Sequence, residues 1–518
     1  MPRGSFAPAS AKSVLIIGAG PGGLATAMLL AKAGLNVRII EAMPRVGGRC
    51  SAIEEQGYRF DLGPTFFLYP RVLEGIYRSV GRDMWNEVPM TRLDPQYRVL
   101  FGTEGGQIDC TPNLEQMATE VAKINASDAK NVQRFISENR VKLERFRPVL
   151  EKAFLGWKDL ASWNLVKLLP LLRPWASVDG ELSRYFSDPR VRLAFSFQSK
   201  YLGMSPFNCP SLFSILSYLE YDFGVWHPTG GCSAVSDNMG RVAQELGAEV
   251  RLGERVEEIL FEGKRAVGVR TNVEEHRADA VIINADFSQA MTKLVPNQLR
   301  KRWSDSRIES KRFSCSTFMM YLGIDGLHEE LPHHTIYTSG NYLGNLDDIE
   351  HRKQLSEDPS FYVQNAGVTD NTMSPEGCST LYVLVPVPHR TNNINWKEEL
   401  PRFRERVLQQ LPKVGIRNIE SRIRYEKIIT AENWEADYDV YKGATFNLAH
   451  NLKQMLHLRP RNRFNELDSV YLVGGGTHPG SGLPVIYESA RITSRLVLQD
   501  FQQPVDWLEV PETPAMLV

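Results

Sequence analysis

The chain has 518 residues, 60 basic and 61 acidic side chains, and a formal net charge of −1 at pH 7. It is too long for a single hydrophobic core, so we expect two or more structural units. The balanced charge argues against a nucleic-acid-binding protein, which would carry a basic surplus. The sequence contains no uninterrupted apolar run of about 18 residues, so a membrane-spanning helix is not expected.

The N-terminus and the cysteine and histidine patterns bear on location and metal binding. Residues 1–12 predict a disordered polar arm that lacks the apolar core of a signal peptide, which favours a cytoplasmic protein. The six cysteines form no C-x-x-C pair and the ten histidines no H-E-x-x-H motif. We therefore expect free thiols in a reducing compartment and no metal site. The pair His333-His334 is expected to be exposed in a loop.

A nucleotide-binding pattern opens the first structural unit. Residues 14–17 predict a buried parallel strand, residues 18–23 fit G-x-G-x-x-G, and residues 24–30 predict a helix ending at Gly34. A second strand, 37–40, ends in an acid that can accept hydrogen bonds from ribose hydroxyls. The helix N-terminus offers N–H groups to a pyrophosphate. The cofactor-binding candidates here are Gly18, Ala19, Gly20, Pro21, Gly22, Gly23, Glu41 and Ala42.

Two further segments extend this pattern. The loop after the second strand carries Gly47, Gly48 and Arg49, which can surround a diphosphate with backbone N–H groups and a guanidinium. Residues 58–62 then predict a strand that closes in a Gly-Pro turn. That turn adds the candidates Gly63, Pro64 and Thr65.

Together, G-x-G-x-x-G, the acid, G-G-R and D-x-G-P-T resemble the flavin amine-oxidase-like superfamily, and more narrowly the bacterial and fungal phytoene desaturases of carotenoid biosynthesis. The resemblance implies FAD as the cofactor. It also implies an α/β fold: a Rossmann-like FAD-binding domain of the glutathione-reductase/amine-oxidase type, an inserted α+β substrate domain and a helical membrane-associated region. The implied limits are 13–105, 225–295 and 425–505 for the FAD-binding domain, 106–224 for the helical region and 296–424 for the substrate domain.

The helical region contains a segment with the composition of a membrane-surface helix. In residues 154–175, apolar and aromatic residues alternate with lysine and arginine. A buried helix pair in a substrate domain would have a similar composition. The resemblance implies a linear C40 or C30 carotenoid precursor, which dissolves in the bilayer, and this favours peripheral membrane binding.

Several strands and a second glycine-rich loop complete the pattern. Strands are predicted over residues 247–252, 255–256, 266–270, 280–286, 316–322, 380–387 and 469–473. The resemblance implies a main-chain contact of Val256 with adenine, and residues 474–484 are similar to the family loop that lies against the flavin. A helix over 485–498 follows. This part adds the candidates Gly475, Gly476, Thr477, His478, Pro479, Gly482, Leu483 and Pro484.

The implied reaction removes a hydride and a proton from neighbouring carbons, with oxygen or a quinone as the final electron acceptor. Glu488, or a water near His478, is the hypothetical proton acceptor. The chain departs from the family here, because the glycine usual after Pro484 is absent and Glu488 is gained. Stabilisation of a helix N-terminus would also explain that carboxylate. The departure leaves the substrate and the number of desaturation steps open.

Three other interpretations share parts of the pattern. A carotenoid isomerase or a terminal-methyl oxygenase would have the same glycine motifs. An escort protein for prenylated GTPases would bind isoprenoid chains without turnover, but such proteins have degraded cofactor loops. An amine oxidase would need an aromatic cage and often a flavin-linked cysteine, and no cysteine lies near the C-terminal loop.

Overall fold

The computed structural model describes residues 12–102, 105–154 and 163–508; the expected polar arm, apart from Lys12, lies outside these ranges. The strands are β1 Ser13–Ile17, β2 Asn36–Glu41, β3 Ala52–Glu55, β4 Tyr58–Asp61, β5 Phe67–Leu68, β6 Met90–Arg92, β7 Tyr97–Phe101, β8 Gln107–Cys110, β9 Val225–Pro228, β10 Glu249–Leu252, β11 Val256–Glu262, β12 Arg265–Thr271, β13 Glu275–Arg277, β14 Ala280–Ile283, β15 Ser316–Asp325, β16 His334–Thr338, β17 Phe361–Asn365, β18 Cys378–Val387, β19 Ile423–Ile429 and β20 Val470–Leu472. The helices are α1 Pro21–Lys32, α2 Arg71–Ser79, α3 Met84–Glu87, α4 Leu114–Ile124, α5 Ala126–Ala129, α6 Val132–Leu150, α7 Trp163–Leu172, α8 Val178–Leu182, α9 Pro189–Ala194, α10 Ser214–Phe223, α11 Cys232–Glu245, α12 Phe287–Leu294, α13 Asp305–Glu309, α14 Tyr342–Asp347, α15 Trp396–Gln410, α16 Ala431–Ala436 and α17 Leu483–Asp500.

A five-stranded parallel sheet, in the order β10-β2-β1-β14-β20, is the framework of the nucleotide-binding unit. Val14 pairs with Val37 on one side and with Ala280 on the other. Helices α1, α11 and α17 cover one face, and α12 packs on the other. Strands lie in the predicted segments 14–17, 37–40, 247–252 and 280–286, at β1, β2, β10 and β14, although β10 and β14 are shorter than predicted. β1, β2 and β14 bury apolar side chains between these layers, whereas β10 is an edge strand that is only partly buried.

A seven-stranded mixed sheet, in the order β19-β15-β18-β17-β16-β7-β8, forms the second unit. Strands β15 and β18 pair along their whole length, from Ser316 with Val387 to Asp325 with Cys378. Phe318 packs under helix α15 against Trp396, whereas its neighbour Met319 points to the opposite face. The expected domain limits at 105 and 425 both cross this sheet, so a division that keeps it whole assigns 97–110 and 423–429 to the substrate unit.

Helices α4 to α10 form the helical region, around a core that includes Phe135, Phe186 and Phe195. The expected membrane segment 154–175 falls partly outside the described residues, which omit 155–162. In its described part, Leu168 and Leu172 pack on Phe146 of α6. Within the described ranges, no helix has both the length and the apolar character needed to cross a bilayer.

The expectation that His333 and His334 lie exposed in a loop is wrong. The pair leads into β16, and the side chains are 4 % and 0 % exposed. They are buried because hydrogen bonds replace water: Nδ1 of His334 bonds the Tyr362 hydroxyl, and Nδ1 of His333 bonds the Thr369 hydroxyl. All six cysteines, each in the described part of the chain, are free thiols.

Candidate functional site

The first glycine loop lies at the carboxyl end of β1, between β2 and β14, where ligands bind in open parallel sheets. A Cβ atom on Gly23 would lie 2.3 Å from the carbonyl oxygen of Gly18. A Cβ atom on Gly22 would lie 2.7 Å from Oδ1 of Asn284. Only glycine therefore allows α1 to begin so close to the strand. The N-cap residue Gly20 has no capping side chain, so the first-turn amides have no side-chain partner there.

Glu41, the last residue of β2, connects this loop to the strand through a hydrogen bond. Its Oε2 accepts a hydrogen bond from the Ala19 amide at 2.7 Å, and its Oε1 accepts one from the Met43 amide at 2.9 Å. Burial raises the pKa of this carboxyl, while the bonds from Met43 and Ala19 oppose the rise. Glu41 also lines the cavity described next, so it can accept further hydrogen bonds from a ligand.

One continuous cavity of about 600 Å³ runs along both glycine loops. Most of the expected cofactor residues line it: Gly18, Gly20, Pro21, Gly22, Glu41, Ala42, Gly48, Arg49, Gly63, Pro64, Thr65, Val256, Gly475, Pro479, Gly482, Leu483 and Pro484. The others lie outside its lining: Ala19, Gly23, Gly47, Gly476, Thr477 and His478. The contact of each residue with the cofactor stays a prediction.

The second glycine loop joins β20 to α17 and depends on a buried arginine. Arg459 is fully buried, and its guanidinium donates to the carbonyl of Gly475 at 2.7 Å and to that of Thr477 at 3.2 Å. A Cβ atom on Gly476 would lie 2.6 Å from Cβ of Phe287. Arg459 and Phe287 therefore support the loop, and Gly475 and Gly482 line the cavity.

Sequence reasoning missed two polar residues at the carboxyl end of β14. Asn284 donates through Nδ2 to the Gly18 carbonyl at 2.9 Å, and both Asn284 and Asp286 line the cavity. Burial raises the pKa of Asp286, and the nearby Arg49 guanidinium opposes the rise. Strand order could have revealed both, because they follow a central strand at the edge that carries Gly18 and Glu41.

Away from the glycine loops, the cavity becomes an apolar channel between the helical region and the seven-stranded sheet. Aliphatic and aromatic side chains from residues 66–68, α6, residues 197–213, α10 and the seven-stranded sheet form its wall: Phe66, Leu68, Leu143, Phe146, Leu150, Phe197, Leu202, Leu212, Phe213, Ile215, Leu216, Leu219, Met319, Ile336, Phe361 and Leu384. Such a wall binds an apolar ligand by shape and by removal of its surface from water.

The two expected proton acceptors lie outside this lining. Glu488 is in the second turn of α17, not the first, because the helix begins at Leu483; its Oε2 accepts from Arg491 at 3.0 Å. Nε2 of His478 donates to the Lys152 carbonyl at 3.1 Å, and burial lowers its pKa to about 4. Neither residue is among those that line the cavity, so their catalytic roles stay predictions.

The site suits a flavin dinucleotide. Gly22, Gly23 and Gly476 leave no room for a Cβ atom, the first helical turn lacks a side-chain cap, and an acid lies at the end of β2. The sequence agrees, because the family model for flavin containing amine oxidoreductases matches residues 21–498. The chain belongs to this family. It is an FAD-dependent oxidoreductase.

Two individual proteins and one solved structure are similar to this chain over nearly its whole length. The chain is 42 % identical over 493 residues to a 4,4'-diapophytoene desaturase (4,4'-diapolycopene-forming) of Methylomonas sp, covering 95 % of this chain and 96 % of that one. It is 39 % identical to an all-trans-zeta-carotene desaturase of Myxococcus xanthus, covering 94 % and 93 %. The crystal structure of an oxidoreductase from Methanosarcina mazei has the same fold, with a TM-score of 0.61, 17 % identity, and coverage of 94 % and 100 %.

Proposed function

We propose that this protein is an FAD-dependent carotenoid desaturase that introduces double bonds into a linear C30 or C40 precursor. The observation that carries the proposal is the single cavity that joins the two glycine loops to the apolar channel. A 42 % identical diapophytoene desaturase supports a C30 substrate.

Each part of the cavity has a distinct task in this reaction. FAD, when bound, supplies a hydride acceptor. The glycine loops, Glu41 and Arg49 would hold the nucleotide. The channel wall excludes water and positions the polyene by shape alone, because a hydrocarbon offers no polar group to recognise. Hydride loss makes the neighbouring C–H acidic, so a weak base is sufficient to remove the proton.

We also propose that the enzyme works on a membrane surface, where such a substrate dissolves. Around α7, Leu169 is 44 % and Trp175 69 % exposed, while Leu168 and Leu172 anchor the helix to the fold. Exposed apolar side chains of this kind bind the lipid interface. Oxygen or a membrane quinone would then reoxidise the flavin.

Purified protein tests the proposal directly. We expect it to carry FAD and, with diapophytoene or phytoene in liposomes, to form products with longer conjugated chains and fewer hydrogens. Absorption spectra and product masses check this. An unchanged mass would indicate an isomerase, and a gain of oxygen an oxygenase. Protein that fails to bind added FAD would contradict the proposal entirely.

A further inference from the structure

A chain of buried hydrogen-bonding side chains leads away from the cavity beside Thr65. Thr65 and Tyr362 both line the cavity, and their hydroxyl oxygens are 2.8 Å apart. The Tyr362 hydroxyl is in turn 2.7 Å from Nδ1 of His334. The His334 ring stacks on Phe66, a residue of the channel wall, with 4.0 Å between ring centroids. The chain therefore begins where the expected cofactor residues meet the apolar channel.

A second part of the chain ends at the protein surface. Nε2 of His227 is 2.9 Å from Oδ2 of Asp370. The other carboxylate oxygen of Asp370 accepts from the Thr372 hydroxyl at 2.6 Å, and Thr372 is exposed. Although burial alone would raise the pKa of Asp370, the bonds from His227 and Thr372 hold it well below its usual range. Asp370 is therefore ionised and accepts the Nε2 proton of His227.

One imidazole nitrogen from each part of the chain is available to connect the two parts, one as a donor and the other as an acceptor. Nε2 of His334 and Nδ1 of His227 are buried and have no hydrogen-bond partner in the described part of the chain. Because the Asp370 carboxylate accepts from Nε2 of His227, Nδ1 of that ring is a proton acceptor. When Tyr362 donates to Nδ1 of His334, Nε2 of that ring is a donor. Both rings contact the ring of His333, and buried waters typically bond polar groups that lack a protein partner, so we infer that one water joins the two nitrogens.

The third imidazole of the cluster takes no part in the chain. The His333 ring contacts those of His227 and His334, with centroids 4.5 and 4.4 Å away. However, its Nδ1 bonds the Thr369 hydroxyl at 2.9 Å and its Nε2 bonds the Gln364 amide at 3.1 Å. Both nitrogens are thus occupied. Burial lowers the pKa of both His333 and His334, so both rings are neutral before the reaction, and it is the occupied nitrogens that set His333 apart.

We propose that Tyr362, His334, His227 and Asp370 form a proton relay that carries the substrate proton from the cavity to solvent at Thr372. This inference rests on the proposed desaturase function. It gives the reaction a proton acceptor among the residues that line the cavity, which neither Glu488 nor His478 does.

The proton step balances along this path. After hydride loss from the substrate, the neighbouring C–H bond breaks and its electron pair becomes the second bond of the new C=C. The proton goes to the Tyr362 oxygen as that hydroxyl gives its own proton to Nδ1 of His334. Nε2 of His334 then releases a proton through water to Nδ1 of His227. His227 passes its Nε2 proton by way of Asp370 to solvent.

Two neighbouring histidines allow a matched test. His334→Asn keeps an oxygen that accepts from Tyr362 but cannot pass a proton on, and Tyr362→Phe removes a single hydroxyl. Loss of general acid–base assistance costs about 10²- to 10⁴-fold, so we expect either variant to lower kcat by about a hundredfold and to increase the solvent deuterium isotope effect. His333→Asn, the control at the adjacent residue, should leave both quantities close to the wild-type values, because both ring nitrogens of His333 bond outside the relay.

The double variant separates a relay from a packing role. Because the two residues act in series, Tyr362→Phe combined with His334→Asn should lose no more activity than the worse single variant. FAD content and melting temperature confirm that each protein is folded. Near-wild-type turnover by Tyr362→Phe, or a large loss in Glu488→Gln alone, would overturn the relay. Wild-type protein that leaves diapophytoene and phytoene unchanged would instead overturn the proposed function and the relay with it.

Discussion

At the scale of single residues, the shape of the cofactor site depends on glycines, which carry no Cβ atom. Gly23 does not line the cavity, but its lack of a Cβ atom lets the Gly18 carbonyl lie against the start of α1. Asn284 fills the space beneath and donates to the same carbonyl. The position of the first-turn amides therefore depends on a glycine that does not itself line the cavity.

Substituting Gly23 tests this dependence. In Gly23→Ala the new methyl group would meet the Gly18 carbonyl oxygen at 2.3 Å, so the loop or the helix must move. Strain of about 1–3 kcal/mol is typical of such overpacking, and we expect FAD to bind at least ten times more weakly, as measured by flavin fluorescence titration. Gly75→Ala in α2, where a Cβ atom meets nothing within 4 Å, is the control. That change should leave FAD binding intact and stabilise the fold by about 0.5–1 kcal/mol; equal affinities in the two variants would contradict the argument.

At the scale of elements, helix α10 supplies both the channel wall and a buried acid behind it. Leu216 and Leu219 line the channel, while Glu220 is fully buried. Oε2 of Glu220 accepts from the Tyr97 hydroxyl at 2.9 Å and from the Gln198 amide at 2.6 Å. Burial raises the pKa of Glu220 to about 7, against the opposing hydrogen bonds. The acid thus joins α10 to β7 of the large sheet.

This acid predicts a pH dependence of stability. The folded-state pKa of Glu220, about 7, lies above the ordinary glutamate value of 4.5, so its stabilising effect is complete below pH 4.5 and is lost as the pH rises to about 7. The loss should be on the order of 3 kcal/mol, since one pKa unit is about 1.4 kcal/mol. Glu220→Gln keeps an oxygen acceptor, and urea unfolding at pH 5 and pH 8 should show that it removes this part of the difference. An unchanged pH dependence in the variant would show that Glu220 is not responsible.

At the scale of the whole molecule, a substrate that dissolves in lipid must enter a channel enclosed by the protein. The channel wall includes α6 residues Leu143, Phe146 and Leu150, and α7 packs on Phe146. Leu169 in α7 and Trp175, just after the end of that helix, are exposed. Membrane binding there would bring the lipid phase next to the helices that form the channel.

Liposome sedimentation tests the membrane surface. Replacing both Leu169 and Trp175 with serine should reduce the lipid-bound fraction several-fold, since each exposed apolar side chain adds about 1–3 kcal/mol of interfacial binding when buried. FAD content and melting temperature should remain unchanged. Val273→Ser is the control, because Val273 is 65 % exposed in the turn between β12 and β13. Equal lipid-bound fractions for the two variants would show that Leu169 and Trp175 do not contribute to membrane binding.

The sequence alone determined the nucleotide-binding framework, because local signals specify it. Apolar runs gave β1, β2 and β14, the glycine spacing gave the turn before α1, and the acid at position 41 lies at the end of β2 and lines the cavity, as expected. The glycine-rich loop after β20 was equally evident. Each depends on residues within a few positions of one another, or on backbone conformations that glycine alone adopts.

Only the tertiary structure decided what distant segments build together. β7 pairs with the adjacent β8 on one side and with β16, more than 200 residues away in sequence, on the other, and nothing in the pattern of β7 specifies that distant partner. The sequence does not reveal that Glu488, a predicted proton acceptor, pairs with Arg491, or that His334, predicted to lie in solvent, stacks beside the channel. Burial and hydrogen-bond partners fix the state of such side chains, and both are set by long-range packing.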